Sequence, residues 1–70
     1  MNPYERLANG IILQAVKDYR EALQDLRVNP SYPDALRTVS EVERFFRSGW
    51  FSALTTIDPE VLIKKLQSEV

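Results

Sequence analysis

The chain contains no cysteine and no histidine in its 70 residues. The first absence removes disulfides, and the two together remove the common zinc frameworks and the Ser-His-Asp and Cys-His forms of nucleophilic catalysis. Carboxylates, lysine and tyrosine are left as proton-transfer groups. The acids are scattered along the pattern, with no pair set apart by apolar neighbours as acid-base work requires. No enzyme activity, metal or cofactor is therefore expected. Glycine is scarce as well: Gly10 and Gly49 are the only two, too few for a phosphate-cradling loop. Charge of one sign is lacking, since nine basic side chains against ten acidic ones give a net charge of -1. That balance argues against a generalised hold on nucleic acid or on an anionic membrane. The longest aliphatic run is Ile11 to Leu13, far short of the roughly 20 residues that span a bilayer. With Glu5 near the start and no apolar leader stretch, the expected location is the cytoplasm.

What is present must fold with little to spare. A chain of this size makes one domain, residues 1–70, and buries only about 60% of the surface its unfolded form exposes. A single core below roughly 70–80 residues rarely supplies more than about 3–5 kcal/mol. With disulfides and metals gone, association between copies is the expected supplement. All the Phe and Trp residues fall in one stretch, Phe45, Phe46, Trp50 and Phe51. Rings that bury about 150–250 Å² each must be placed before anything else.

Helical spacing dominates the rest. Asn2-Pro3-Tyr4-Glu5 carries start signals, with Asn2 as N-cap and Pro3 at the first helical position. The series Tyr4, Ala8, Ile11, Ala15, Tyr19, Ala22, Leu26 advances by threes and fours, which predicts a helix over 3–27. Ile12, Val16 and Leu23 widen its apolar stripe toward a second neighbour. Asn29-Pro30-Ser31-Tyr32-Pro33 ends it, and so short a connection predicts an antiparallel second helix. Ser31 with Asp34 reads as a capping-box variant at that helix's start. Ala35, Leu36, Val39, Val42 and Phe46 form its predicted buried face. Gly49 is the expected stop, in a left-handed conformation, followed by a short helical turn over 50–54; the competing reading is a kink with the helix continuing through Trp50. Asp58 as N-cap, Pro59 at the first position and Ile57 packing on Leu62 predict a last helix over 59–69, with Leu62, Ile63, Leu66 and Val70 toward the core. The predicted architecture is all-α: a small three-helix bundle, the long first helix paired antiparallel with the second and a short C-terminal third.

Three groups of residues are candidates for contact. On the second helix, Arg37, Ser40, Arg44, Arg47 and Ser48 share a strip beside Trp50. There guanidinium forks can hold a phosphate or carboxylate and the indole can stack on a base; Arg44, Arg47, Ser48 and Trp50 are the favoured ligand-binding set. The competing reading is a solvated face, since Glu41 and Glu43 stand at pairing distance along the helix. Lys17, Arg20, Gln24 and Arg27 on the outer face of the first helix form a second anion-binding candidate, lining a site where two subunits would meet through Gly10 and Leu13; Glu21 interrupts them, and an ordinary polar face is the competing reading. The third group is a subunit interface. At 100° per residue Leu13 lies in the middle of the polar face, and Gly10, one turn earlier, would let another helix come close; Phe45 and Phe51 are the rings assigned to the same interface. Isolated exposed leucines are ordinary, so a plain polar face competes here too.

The F-F-R-S-G-W-F-S-A-L-T run at 45–55, the Y-E-R-L-A-N opening and the 61–66 helix resemble a group of very short proteins encoded in phages and prophages of Gram-positive bacteria. The resemblance covers nearly the whole chain. It implies no catalytic residue. It implies an accessory role of the counter-defence kind, in which a small helical oligomer sequesters a host signal nucleotide or blocks a host immune protein. The expectation is thus a non-enzymatic binding module that forms a homo-oligomer, with a DNA-associated regulatory protein as the alternative.

Overall fold

The computed structural model describes residues 3–69, with side chains from residue 10 onward. The first-turn signals at Asn2, Tyr4 and Glu5, the Ala8 packing position and Val70 lie outside the described side chains. Among the described residues there are four helices: α1 (Pro3–Val28), α2 (Pro33–Phe46), α3 (Gly49–Leu54) and α4 (Pro59–Ser68). The three predicted helices are present and the predicted short turn is α3, a six-residue helix of its own.

The start of α2 corrects the capping expectation. Pro33 takes the first helical position, so the N-cap is Tyr32, which makes no side-chain capping bond. Ser31 instead turns the chain, its N–H donating to Asn29 Oδ1 at 3.2 Å. Asp34, in the first turn, still favours the positive end of the helix dipole.

Gly49 is also corrected. Helix α2 ends at Phe46 with Arg47 as C-cap at φ -90 and ψ 1, and among the described residues no glycine has a positive φ. The break is made by Ser48. Its Oγ donates to Phe45 O at 2.6 Å and accepts from Phe51 N at 3.3 Å. One hydroxyl therefore closes α2 and opens α3, and Gly49 simply becomes the first residue of the new helix. At α4 the capping expectation holds, with Asp58 Oδ1 accepting from Glu60 N at 2.9 Å and Pro59 following, while Ile57, expected to pack on Leu62, is about half exposed.

The core sits where α1, α2, α3 and α4 meet. Tyr19, Phe46 and Phe51 are at most 1% exposed, and Ile63 and Leu66 from α4 complete the buried cluster. Phe46 lies edge-on to Tyr19 at 5.9 Å and to Phe51 at 5.3 Å between ring centroids, the geometry that aromatic quadrupoles prefer. Ile12, Val16, Leu23, Val39 and Leu62 pack around it. Ala35, Val39, Val42 and Phe46 keep the helical phase, whereas Leu36, one residue off it, is about half exposed and not buried as its apolar character suggested.

Length mismatch shapes the molecule. At about 1.5 Å per residue α1 rises about 39 Å and α2 about 21 Å, consistent with Cα extents of 41 × 20 × 19 Å. Helices α3 and α4 cover one side of the antiparallel α1–α2 pair, through Tyr19, Arg20, Phe46 and their partners on those helices. The other side of the pair is open.

Candidate functional site

The predicted anion-binding residues are not gathered into one pocket, and three of them, Arg47, Arg20 and Ser48, are already engaged. Arg47 Nε donates to Glu60 Oε1 at 2.6 Å, Arg47 Nη2 to Glu60 Oε2 at 3.1 Å, and Arg47 Nη1 to Glu43 Oε1 at 3.2 Å. This two-carboxylate clamp raises the guanidinium's proton affinity and, by the hydrogen bond from Arg47, holds Glu60 below the usual carboxylate range. The Glu60 contribution to stability is therefore present above the ordinary carboxylate range and is lost as pH falls through its depressed value. Arg20 is bound in the same way, donating to Glu69 Oε2 from Nε at 3.0 Å and Nη2 at 2.7 Å. Ser48 is occupied as a cap. Lys17, Arg44 and Trp50 are exposed, Trp50 at 62%.

The interface set divides. Phe51 is corrected: it is 1% exposed, so it belongs to the chain's own core and is out of reach of a second chain. Of the adjacent rings Trp50 and Phe51, the one left outside is Trp50. Leu13 is 67% exposed on the outer face of α1. Gly10 and Phe45 come together on a different face, at one end of the open side of the α1–α2 pair.

There a groove of about 550 Å³ has a floor of Ile11, Ala15, Val42 and Phe45, with Gly10 at its edge and Asp18 and Glu41 on its walls. It runs on into a second concavity of about 300 Å³, which shares Asp18, Glu41 and Val42 with the first. Ala22 and Ala35 floor this half, and Glu21, Asp25 and Asp34 join the walls. The result is one furrow along the α1–α2 seam, apolar at the Phe45 end and acidic at the Asp25 end. From Gly10 to Asp25 it extends about 22 Å at the helical rise.

Comparison with protein families, with characterised proteins and with solved structures yields no match for this chain. The reading of the site therefore rests on its own chemistry. Half of the chain's ten acids line the furrow, although in the sequence they look scattered. The signal was there: Asp18, Glu21 and Asp25 are spaced by three and four on the flank of the buried stripe of α1, and Asp34 and Glu41 by seven on α2. What the sequence did not show was that those two flanks face each other.

The described acids outside the furrow are satisfied within the fold. Glu43 and Glu60 bind Arg47, Glu69 binds Arg20, and Asp58 caps α4. Among the described residues no lysine or arginine lies within 4.0 Å of a furrow carboxylate; Asp18 accepts only from Gln14, at 2.9 Å. Nor do three acidic groups converge to hold a metal ion among the described residues. The uncompensated charge is spread along a line instead of focused at a point.

Behind the furrow lies a polar connection that apolar periodicity conceals. Tyr19 belongs to the helical stripe, yet its hydroxyl donates to Glu43 Oε2 at 2.8 Å and accepts from Gln67 Nε2 at 3.1 Å. Through Glu43 and Arg47 the chain of bonds continues to Glu60, so α1, α2 and α4 are tied at one ring. Burial first, and then the hydrogen bond to Glu43, push the Tyr19 hydroxyl up to about 12.

Proposed function

We propose that this chain is a non-enzymatic docking module of phage type, which acts in the host cytoplasm as a counter-defence factor by occupying a surface of a host protein. One observation carries the reading: an open furrow with an apolar floor, left uncovered on one side of an otherwise complete four-helix protomer. Burial of apolar surface is the main source of association free energy, and a contiguous apolar groove rimmed by polar groups suits a protein partner. The resemblance of the 45–55 run to short phage proteins supports the accessory role.

Sequestration of a signal nucleotide has weaker support. Its phosphates need several free cations together, whereas Arg47 and Arg20 are bound to carboxylates, the exposed Lys17 and Arg44 stand on different helices, and the furrow walls are acidic. A DNA-associated role meets the same charge. Self-association through the exposed Leu13 ridge is part of the proposal, on a face of α1 separate from the furrow.

Affinity capture of the tagged chain from host cells tests the reading. The expected result is a stoichiometric partner with the wild type and none with Gly10→Trp, with no thermal shift across a panel of cyclic and ADP-ribose-type nucleotides. Gly10 is exposed at the groove's edge and a Cβ there meets nothing within 4 Å, so a side chain has room to start at that point and the indole is expected to obstruct the groove mouth. A nucleotide-dependent rise in melting temperature and no captured protein would reverse the assignment.

A further inference from the structure

The partner's chemistry follows from how charge is distributed in the furrow, and this step rests on the docking reading above. We infer that the furrow takes an amphipathic helix of the partner protein, one whose apolar stripe is flanked by lysine or arginine. The apolar half, floored by Ile11, Ala15, Val42 and Phe45, gives leucine- or phenylalanine-sized side chains a place to bury. The acidic half faces the same occupant with Asp18, Glu21 and Asp25 on one wall and Asp34 and Glu41 on the other. A run of about 22 Å matches four turns of helix, and the seam between two packed helices is the position a third helix takes in a bundle.

Charge selects among occupants. Every described acid outside the furrow has a partner within the fold, so its uncompensated acids are the ones an incoming cation meets first. A second copy of this chain laid on the furrow would bring the same carboxylates against each other, and like-charge juxtaposition disfavours such a pairing. Phosphate groups meet the same repulsion. A metal ion has no convergent ligand set among the described residues. A basic amphipathic helix satisfies both halves at once: its stripe covers the apolar floor, and its cations answer walls that are exposed enough to attract from a distance and buried enough on docking to be screened less by salt.

The test uses three fluorescein-labelled 16-residue peptides read by anisotropy. The first has leucines at helical spacing with lysine elsewhere, the second the same leucines with glutamate, and the third the lysine composition with its leucines scrambled off the stripe. The striped lysine peptide is expected to bind at least 30-fold more tightly than the glutamate one and 10-fold more tightly than the scrambled one, and to weaken between 50 and 300 mM salt. Asp25→Asn with Glu41→Gln should weaken it at least 10-fold. Gln24→Lys with Thr56→Lys makes the same net-charge change at exposed sites outside the furrow and should alter it less than threefold. Equal affinity for lysine and glutamate peptides, equal loss in the two charge variants, or no binding of the lysine peptide at 1 mM overturns the inference. The docking reading fails separately. If the host protein lost by Gly10→Trp is still captured by the Asp25→Asn, Glu41→Gln variant, docking stands and the basic partner falls; if Gly10→Trp loses no partner, both fall.

Discussion

Phe46→Ala is expected to leave the chain unfolded at 25 °C, seen as loss of the helical far-ultraviolet circular dichroism signal. The ring is fully buried and has Tyr19, Phe45 and Phe51 around it at 5.3 to 5.9 Å. Truncating a buried Phe to Ala costs about 3–5 kcal/mol, the lost transfer energy plus the cavity left behind. A domain of this length has about 3–5 kcal/mol in total, so one substitution consumes the margin. Phe46→Leu keeps most of the volume and should remain folded with a lowered melting temperature. Trp50→Ala, by contrast, removes a side chain that is mostly in water and should shift the melting point little. A folded Phe46→Ala protein with near wild-type stability would mean that the aromatic cluster is not the centre of the fold.

That contrast between neighbours shows what the sequence could and could not reveal. The four ring residues identified the important stretch, and the three-four spacing of Ala15, Tyr19, Ala22 and Leu26 identified the buried stripe of α1, because both follow from local periodicity. Asp58-Pro59 announced α4 because its cap is formed within three residues. Ser48-Gly49 misled because a glycine stop and a serine N-cap leave the same dipeptide in the sequence; only the position of Phe51 N beneath the Ser48 hydroxyl decides between them. The ion pairs were illegible for a different reason. Arg47 was expected to pair within its own helix, and it does reach Glu43, but its closer contact is Glu60 thirteen residues away, and Arg20 finds Glu69 across 49. Such contacts depend on how helices pack, which no local pattern records. The furrow is illegible on the same ground, since its walls belong to two helices.

The second large effect is at Tyr19. A buried hydroxyl that donates to a carboxylate resists ionisation, and here it is pushed from 10.0 up to about 12. The unfolded chain loses the proton first as pH rises, so this contribution is fully present below about pH 10 and disappears as pH climbs through about 12. At about 1.4 kcal/mol for each tenfold step in proton affinity, the loss is about 2–3 kcal/mol. Chemical denaturation of the wild type minus that of Tyr19→Phe, at intervals from pH 9 to 12, should show this fall. Subtracting the variant removes the background from lysines and the other tyrosines. Tyr19→Phe itself should cost about 1–2 kcal/mol at neutral pH, since Glu43 and Gln67 lose their shared partner. A pH-independent difference would show that the hydroxyl is not held in the buried bond to Glu43.

Both effects concern the scaffold that keeps the α1–α2 seam open on one side. With Tyr19 and Phe46 locking α3 and α4 to the other side, no described residue covers the furrow, and its carboxylates remain available. Carboxyl footprinting of the chain alone and in its captured complex, with the modified positions read by mass spectrometry, addresses that claim most directly. The account predicts that Asp18, Glu21, Asp25, Asp34 and Glu41 react in the free chain and become protected in the complex, while oxidation of Trp50 is unchanged. Protection of Trp50 with the furrow acids still reactive would contradict it.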